Sequence, residues 1–269
     1  MVDVGSNFGY YALLAAKLVA AITKAQAEAM QRAFGDAVQV DWAMRYGAPS
    51  IPEQLRALQE AGCARILLAP LYPQYCAATT ATVVDKSNEW LAAQRWQPSL
   101  RTLPPYHDDP LYIDALAADI DRQLGTLDFA PELMLMSFHG MPARTLQLGD
   151  PYHCHCQKTA RLLEAKLARP GLRFRTSFQS RFGPAKWLEP ATDAVLEEEA
   201  RGGTKRLAIV APGFSADCLE TLEELAIQGR EQFTDAGGEQ FAALSCLNTS
   251  DAGLAMLEAL LKRECAGWI

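Results

Sequence analysis

Apolar residues in this chain recur at helical spacing and at alternating spacing by turns. Residues 8–34 carry an Ala/Leu/Met stripe of helix formers that stops at Gly35 and Asp36, and residues 38–44 then alternate through Val38, Val40 and Trp42. The pattern predicts a helix, then a strand. Residues 52–61 return to helical spacing and end at Gly62, before the short apolar run of residues 65–70, the kind buried on both faces of a parallel sheet. A helix over 79–94 and a short strand over 99–103 complete the first half.

After Pro104 and Pro105 the rhythm restarts. Helices are predicted over 109–124, 156–168, 191–201, 217–233 and 252–263, with strands over 132–138, 172–178, 205–211 and 240–244 between them. Four strands each followed by a helix form a βα repeat, which right-handed crossovers fold into a parallel sheet covered on both faces. The fold class is α/β, with a complete second domain over 105–269 and an incomplete first domain over 1–104.

Composition narrows the function. The 269 residues are 49% hydrophobic and 21% charged, which suits an ordinary globular chain and excludes disorder or a disulfide mini-scaffold. Twenty-five basic against 32 acidic residues leave a net charge of −7, so nucleic acid is not an expected partner. Seven cysteines at 63, 76, 154, 156, 218, 246 and 265 show no framework spacing and no C-x-x-C pair, which points to a reducing, cytoplasmic compartment. The apolar stretch from Tyr10 to Ile22 is broken by Lys17, follows Asp3 rather than a basic segment, and is too short to cross a bilayer. No G-x-x-x-x-G-K-[ST] loop and no G-x-G-x-x-G turn occurs, so no nucleotide is expected.

Ligands of open parallel sheets sit beyond the carboxyl ends of the strands. Applied to the second half, this rule selects residues 137–142 around His139, residues 178–181, and residues 212–217 with Glu220 just beyond. His139 is one of only four histidines. It reads either as a turn histidine bonded to backbone or as a functional imidazole aimed out of the sheet edge. Asp217 and Glu220 match a capping box, with Asp217 as N-cap and Glu220 at N3. Glu224 lies one further turn on, so the three carboxylates could form an acidic ladder along one helix face, which protons or cations would stabilise; a solvated acidic stripe is the other reading. His153, Cys154, His155 and Cys156 resemble a metal cluster, but without a partner group at zinc spacing they are expected to be an ordinary loop before a helix. Tyr72 and Tyr75 follow a first-half strand, placed either to wall a flat apolar ligand facing Phe214 or to pack between sheet and helix.

Four runs, LAPLYPQYCAATTATVVD, SFHGMPARTLQLGDPYHCHCQKTARLL, FQSRFGPAKWLEPATD and APGFSADCLETLEEL, occur in this order. Together they resemble the ferrochelatase family over about residues 20–262. The resemblance implies two Rossmann-like chelatase domains with a porphyrin cleft between them. It also implies ATP-independent insertion of Fe(II), a substrate metal, into protoporphyrin IX. His139 matches the histidine of the family's S-x-H-x-x-P stretch and Glu220 the glutamate of its D-x-x-E stretch, both held to be catalytic and iron-site residues. Glu224 joins them as a metal-side carboxylate. Tyr75 and Thr82 fall where the family's porphyrin-contacting loop runs, and Phe214 falls on its cleft-lining loop. The expected partners are protoporphyrin IX and ferrous iron, with peripheral membrane contact suggested by such greasy ligands. No iron–sulfur cluster is expected, and no oligomeric state is legible.

The chain departs from the family at its start. The family pattern begins near Ile22, and the usual opening strand with its L-G-T/G-P turn and the G-G-x-S-P segment has no counterpart, so the first sheet is expected to lack a strand and part of its lip. Residues 1–19 are open to three accounts: a start site further upstream, a deletion, or a new N-terminal helix that covers the gap. Alternatives to ferrochelatase are a chelatase for coproporphyrin or sirohydrochlorin, and a non-catalytic tetrapyrrole-binding remnant.

Overall fold

The computed structural model describes residues 9–269, with side chains from Lys17 onward; the readings placed on Asp3 and on the rest of residues 1–8 lie outside the described residues. In chain order the elements are α1 (Gly9–Phe34), α2 (Ile51–Glu60), β1 (Arg65–Leu68), α3 (Thr80–Ala92), β2 (Ser99–Thr102), α4 (Pro110–Leu124) and β3 (Leu133–His139). They continue with α5 (Ala143–Gln147), α6 (Tyr152–Leu167), β4 (Arg173–Gln179), α7 (Thr192–Arg201) and β5 (Arg206–Val210). A π-helix (Glu220–Gln228) runs directly into α8 (Gly229–Asp235), followed by β6 (Gln240–Ala243) and α9 (Asp251–Glu264).

The second half holds a four-stranded parallel sheet in the order β4-β3-β5-β6. β3 is central because Leu133 to Phe138 are all buried, an apolar run that only a strand covered on both faces can satisfy. One face packs Met134, Met136 and Phe138 on α4, α6 and α9, while the other packs Leu133 and Leu135 with Val195, Leu196 and Phe233. In register, His139 at the end of β3 stands beside Gln179 at the end of β4.

Among the described residues the first half has only β1 and β2, paired in parallel from Arg65 with Ser99 to Leu68 with Thr102. Two expectations are corrected here. Residues 65–70 are not covered on both faces: Ile66 is buried, but Leu67 and Leu68 are half-buried and border a cavity. Residues 38–44 do not form a strand. Val38 is extended and exposure alternates from Val38 to Trp42, but the backbone is tied to the Gln31 side chain, which donates to the Val38 carbonyl (3.0 Å) and accepts from the Val40 N–H (2.8 Å). A pleat pattern sets an extended backbone; a ladder also needs a neighbouring chain.

The helix predicted over 217–233 is π-helical in its first two turns, closed by an i→i+5 bond from the Gly229 N–H to the Glu224 carbonyl. α6 starts at Tyr152, so His153, Cys154, His155 and Cys156 lie within a helix rather than in a loop before it. Among the described residues, no helix is long and apolar enough to cross a membrane.

Candidate active site

Gly140 sets the geometry at the end of β3. A Cβ there would lie 2.4 Å from the Gln179 carbonyl oxygen and 3.2 Å from the Trp187 ring, so only glycine lets the ends of β3 and β4 meet this closely. The Gly140 N–H donates to that same Gln179 carbonyl at 2.8 Å. The chain then turns, and the preceding residue, His139, is left at the sheet edge with its carbonyl held by the Tyr152 hydroxyl at 2.9 Å.

The imidazole of His139 has a defined tautomer. Its Nδ1 lies 2.6 Å from the Gly140 carbonyl oxygen, which can only accept, so Nδ1 carries the proton in the neutral ring. Its Nε2 then holds a lone pair, and that atom is buried without a hydrogen-bond partner. A buried, unpaired ring nitrogen is costly unless something else uses it. The Phe214 ring stands 6.3 Å away, tilted by 47°.

His139, Phe214 and Glu220 line one cavity of about 1230 Å³. That exceeds the roughly 300–1,000 Å³ usual for small-molecule sites. Its other walls include Tyr72, Val83, Met141 and Trp187, so the space around the polar pair is mostly apolar. Gln179 joins the pieces: its side chain accepts from the Ser137 hydroxyl at 2.9 Å and donates to the Glu220 carbonyl at 3.0 Å, which ties β3 to the start of the π-helix.

Glu224 does not face the large cavity. It lines a separate space of about 170 Å³ with Gln179, Ser180 and Asp193. Its carboxylate accepts from both the N–H and the hydroxyl of Ser180, each at 2.6 Å. Burial pushes the Glu224 carboxyl above its ordinary value; the Ser180 bonds and the His139 imidazole oppose this only in part, and the charge of Glu220 adds to it. Glu224 thus sits within the fields of His139 and Glu220 while opening onto a different space from theirs.

Several expectations take a different form here. Asp217 is neither an N-cap nor part of a ladder: its carboxylate accepts from the Cys246 N–H (3.1 Å), the Thr221 hydroxyl (3.0 Å) and the Asn248 amide (2.6 Å), which pins the loop to the strand-end beyond β6. The helix begins too late for a cap at Asp217, so two carboxylates remain where three were expected. Among the described residues, no group of three or more His, Cys, Asp or Glu is gathered closely enough to hold a metal, so His139, Glu220 and Glu224 are not a preassembled cage. Tyr75 and Thr82 do not line the cavity. The Thr82 hydroxyl donates to the Thr79 carbonyl at 2.8 Å, and the Tyr75 N–H donates to His155 Nδ1 at 3.2 Å. Tyr72, Cys76, Thr79 and Val83 take the cavity positions.

The His/Cys cluster is dispersed by its helix. His155 stacks on His107 at 3.5 Å, His153 lies against Phe178, Cys154 is exposed and Cys156 is buried. Sequence reasoning missed the parts played by Gln179, Ser180 and Trp187. The strand-end rule reached the segment 178–181, and the signal it could not supply was the positive φ of Ser180 (61°), which turns its N–H and hydroxyl together onto Glu224.

A family model for ferrochelatase matches residues 18–265. The chain is 59% identical over 249 residues to a ferrochelatase of Rhizobium meliloti, covering 92% of this chain and 74% of that protein. It is 54% identical to a ferrochelatase of Agrobacterium fabrum, covering 92% and 72%. Among solved structures, SirB from Bacillus subtilis with Fe3+ superposes with a TM-score of 0.69 at 13% identity, over 98% of this chain and 93% of that one, a likeness of fold alone.

Proposed function

The chain belongs to the ferrochelatase family, a metal-inserting lyase that places Fe(II) in protoporphyrin for haem synthesis, and we propose that His139 and Glu220 carry that reaction here. The observation that supports this reading is that His139, whose Nε2 keeps an unpaired lone pair, lines the same apolar cavity as Glu220.

Metallation exchanges two pyrrole N–H protons for one ferrous ion, so the products are the iron porphyrin and two protons. A base must accept each proton, and a carboxylate must offset the ion's charge as water leaves it. With Nδ1 committed to Gly140, His139 takes a pyrrole proton at Nε2. Glu220 faces the incoming ion and passes protons toward Glu224, whose carboxyl burial makes readier to hold one. Glu224 then opens onto the small polar space beside Ser180. The macrocycle lies against Tyr72, Met141, Trp187 and Phe214. The division between halves at residues 104–105 puts both reacting groups on the second domain and much of the wall on the first.

The reading needs neither a nucleotide nor an iron–sulfur cluster, and it places the protein in the cytoplasm, touching membrane only through its greasy ligands. The likeness to SirB is one of fold, so sirohydrochlorin is not carried forward as substrate. An anaerobic assay with Fe(II) or Zn(II) and protoporphyrin IX tests the reading: it expects turnover well above the buffer rate. Porphyrin binding with metallation no faster than buffer would leave only a binding protein.

A further inference from the structure

The wall that the first half gives to the large cavity rests on a helix of the second half. Gln74 and Cys76 line the cavity, and the backbone of Tyr75 between them is held by α6: its N–H donates to His155 Nδ1 at 3.2 Å. Thr159 lies one turn on, on the same face of α6, and meets the same two loops. Its hydroxyl accepts from the Gln74 amide at 3.1 Å and donates to the His107 carbonyl at 2.7 Å. Just before α6, the Asp150 carboxylate accepts from the Ala77 N–H at 2.7 Å.

Of the side chains in these ties, histidine alone ordinarily changes charge between pH 5 and 8. A ring nitrogen that accepts a hydrogen bond holds no proton, so His155 docks Tyr75 only while Nδ1 is bare and Nε2 carries the proton. Protonation of Nδ1 sets one N–H against another, and the bond is lost.

His107 adds to the cost of that charge. Its ring stacks on His155 at 3.5 Å, within 5° of parallel, and its own Nδ1 is buried without a hydrogen-bond partner, 3.7 Å from Asp108 Oδ1. The charged groups facing the pair are Asp108, Asp150 and Lys158, and Lys158 is itself paired with Asp108. Burial holds His155 below its ordinary value of 6.5; Lys158 works in the same direction, and the two carboxylates oppose it. His107 is pushed down to about 4, by burial first and then by His155.

We propose that His155 is a positioning residue for the metallation site: its neutral imidazole docks residues 74–77 of the cavity wall onto α6, and its cation releases them, so the wall grips a porphyrin only while Nδ1 is unprotonated. The docking stands on the geometry alone, whereas the grip on porphyrin rests on the function proposed above. Docking lowers His155, so the docked state binds fewer protons than the released one. Docking therefore weakens as pH falls through and below the ordinary histidine range.

Amide hydrogen exchange of the whole chain tests the docking, with each rate divided by the intrinsic rate at the same pH. Protection of the Tyr75 amide should fall by at least about threefold between about pH 7.5 and about pH 5. His155→Asn keeps an acceptor that does not titrate, and its protection should stay level over that range; His155→Ala should lack it at both ends. A level profile in the parent, or an equal fall in His155→Asn, would overturn the proposal. Steady-state metallation tests the positioning. The KM for protoporphyrin IX, taken as the ratio of parent to His155→Asn so that ionisation of the substrate cancels, should rise by at least about threefold over the same range, with the ratio of kcat values near one. A constant KM ratio beside a loss of Tyr75 protection would overturn it too. Absence of turnover in both proteins at every pH would overturn the positioning role together with the ferrochelatase reading, and the exchange profiles tell that failure from a failure of docking.

Discussion

Ser180 grips Glu224 twice, through its N–H and through its hydroxyl, both at 2.6 Å, and does so from a left-handed backbone position at φ 61°. The carboxyl so held is still raised above 4.5, chiefly by burial. In the unfolded chain Glu224 ionises near that ordinary value, whereas the fold keeps its proton to higher pH. The fold therefore binds more protons, and Glu224 makes it less stable as pH rises through this window. Glu224→Gln keeps both Ser180 partners without the charge. Its melting temperature should match the parent near pH 4 and exceed it increasingly above about pH 5; equal pH profiles for the two proteins would contradict the assignment.

His139→Ala and Glu220→Gln should each slow anaerobic metallation by at least about 100-fold. Neither side chain belongs to the apolar clusters packed on the two faces of the sheet, so thermal melts and circular dichroism should stay close to the parent. Turnover like the parent's in either variant would remove that residue from the mechanism.

Gly140→Ala separates positioning from chemistry. The new methyl meets a backbone carbonyl at 2.4 Å, which cannot yield as a flexible side chain would. The expected cost is about 1–3 kcal/mol, seen as a lower melting temperature. The shift of the β3 end should also lower kcat, because it moves the Nδ1 partner of His139. A variant as stable as the parent would mean that the strand ends separate freely.

Glu199 predicts the acid limit. Burial works against its charge, yet hydrogen bonds from Arg173, Thr204 and Arg175 draw the carboxyl down to about 2 from an ordinary 4.5. A lowered acid stabilises the fold fully above about pH 4.5 and loses that contribution as pH falls toward 2. Glu199→Gln should be less stable at pH 7, and the deficit should shrink as pH drops below 4.5; chemical denaturation across pH 3 to 7 measures both.

Much of the architecture could be read from periodicity. Leu133 to Phe138 have no polar member except the small Ser137, and a run of that kind is buried on both faces whatever surrounds it. The strand-end rule led to His139 and Glu220 for a related reason: loops at the carboxyl edge of a parallel sheet converge. Residues 38–44 mark where this reasoning stopped. Their alternation set the exposure pattern, but Gln31 rather than a neighbouring strand took their hydrogen bonds. Tyr75 and Thr82 lie off the cavity, which Thr79 and Val83 line instead, because position along a loop does not say which way its side chains turn.

The order of elements, the central strand of the second sheet and the residue types at its edge are legible along the chain, because they follow from local preference and from which side chains avoid water. Only tertiary structure decided that Asp217 braces a loop, that Glu224 turns to Ser180 and that His139 is left with a free Nε2. Each of those outcomes depends on hydrogen-bond partners distant in the chain or on a turn geometry such as that of Ser180, and periodicity carries no record of either.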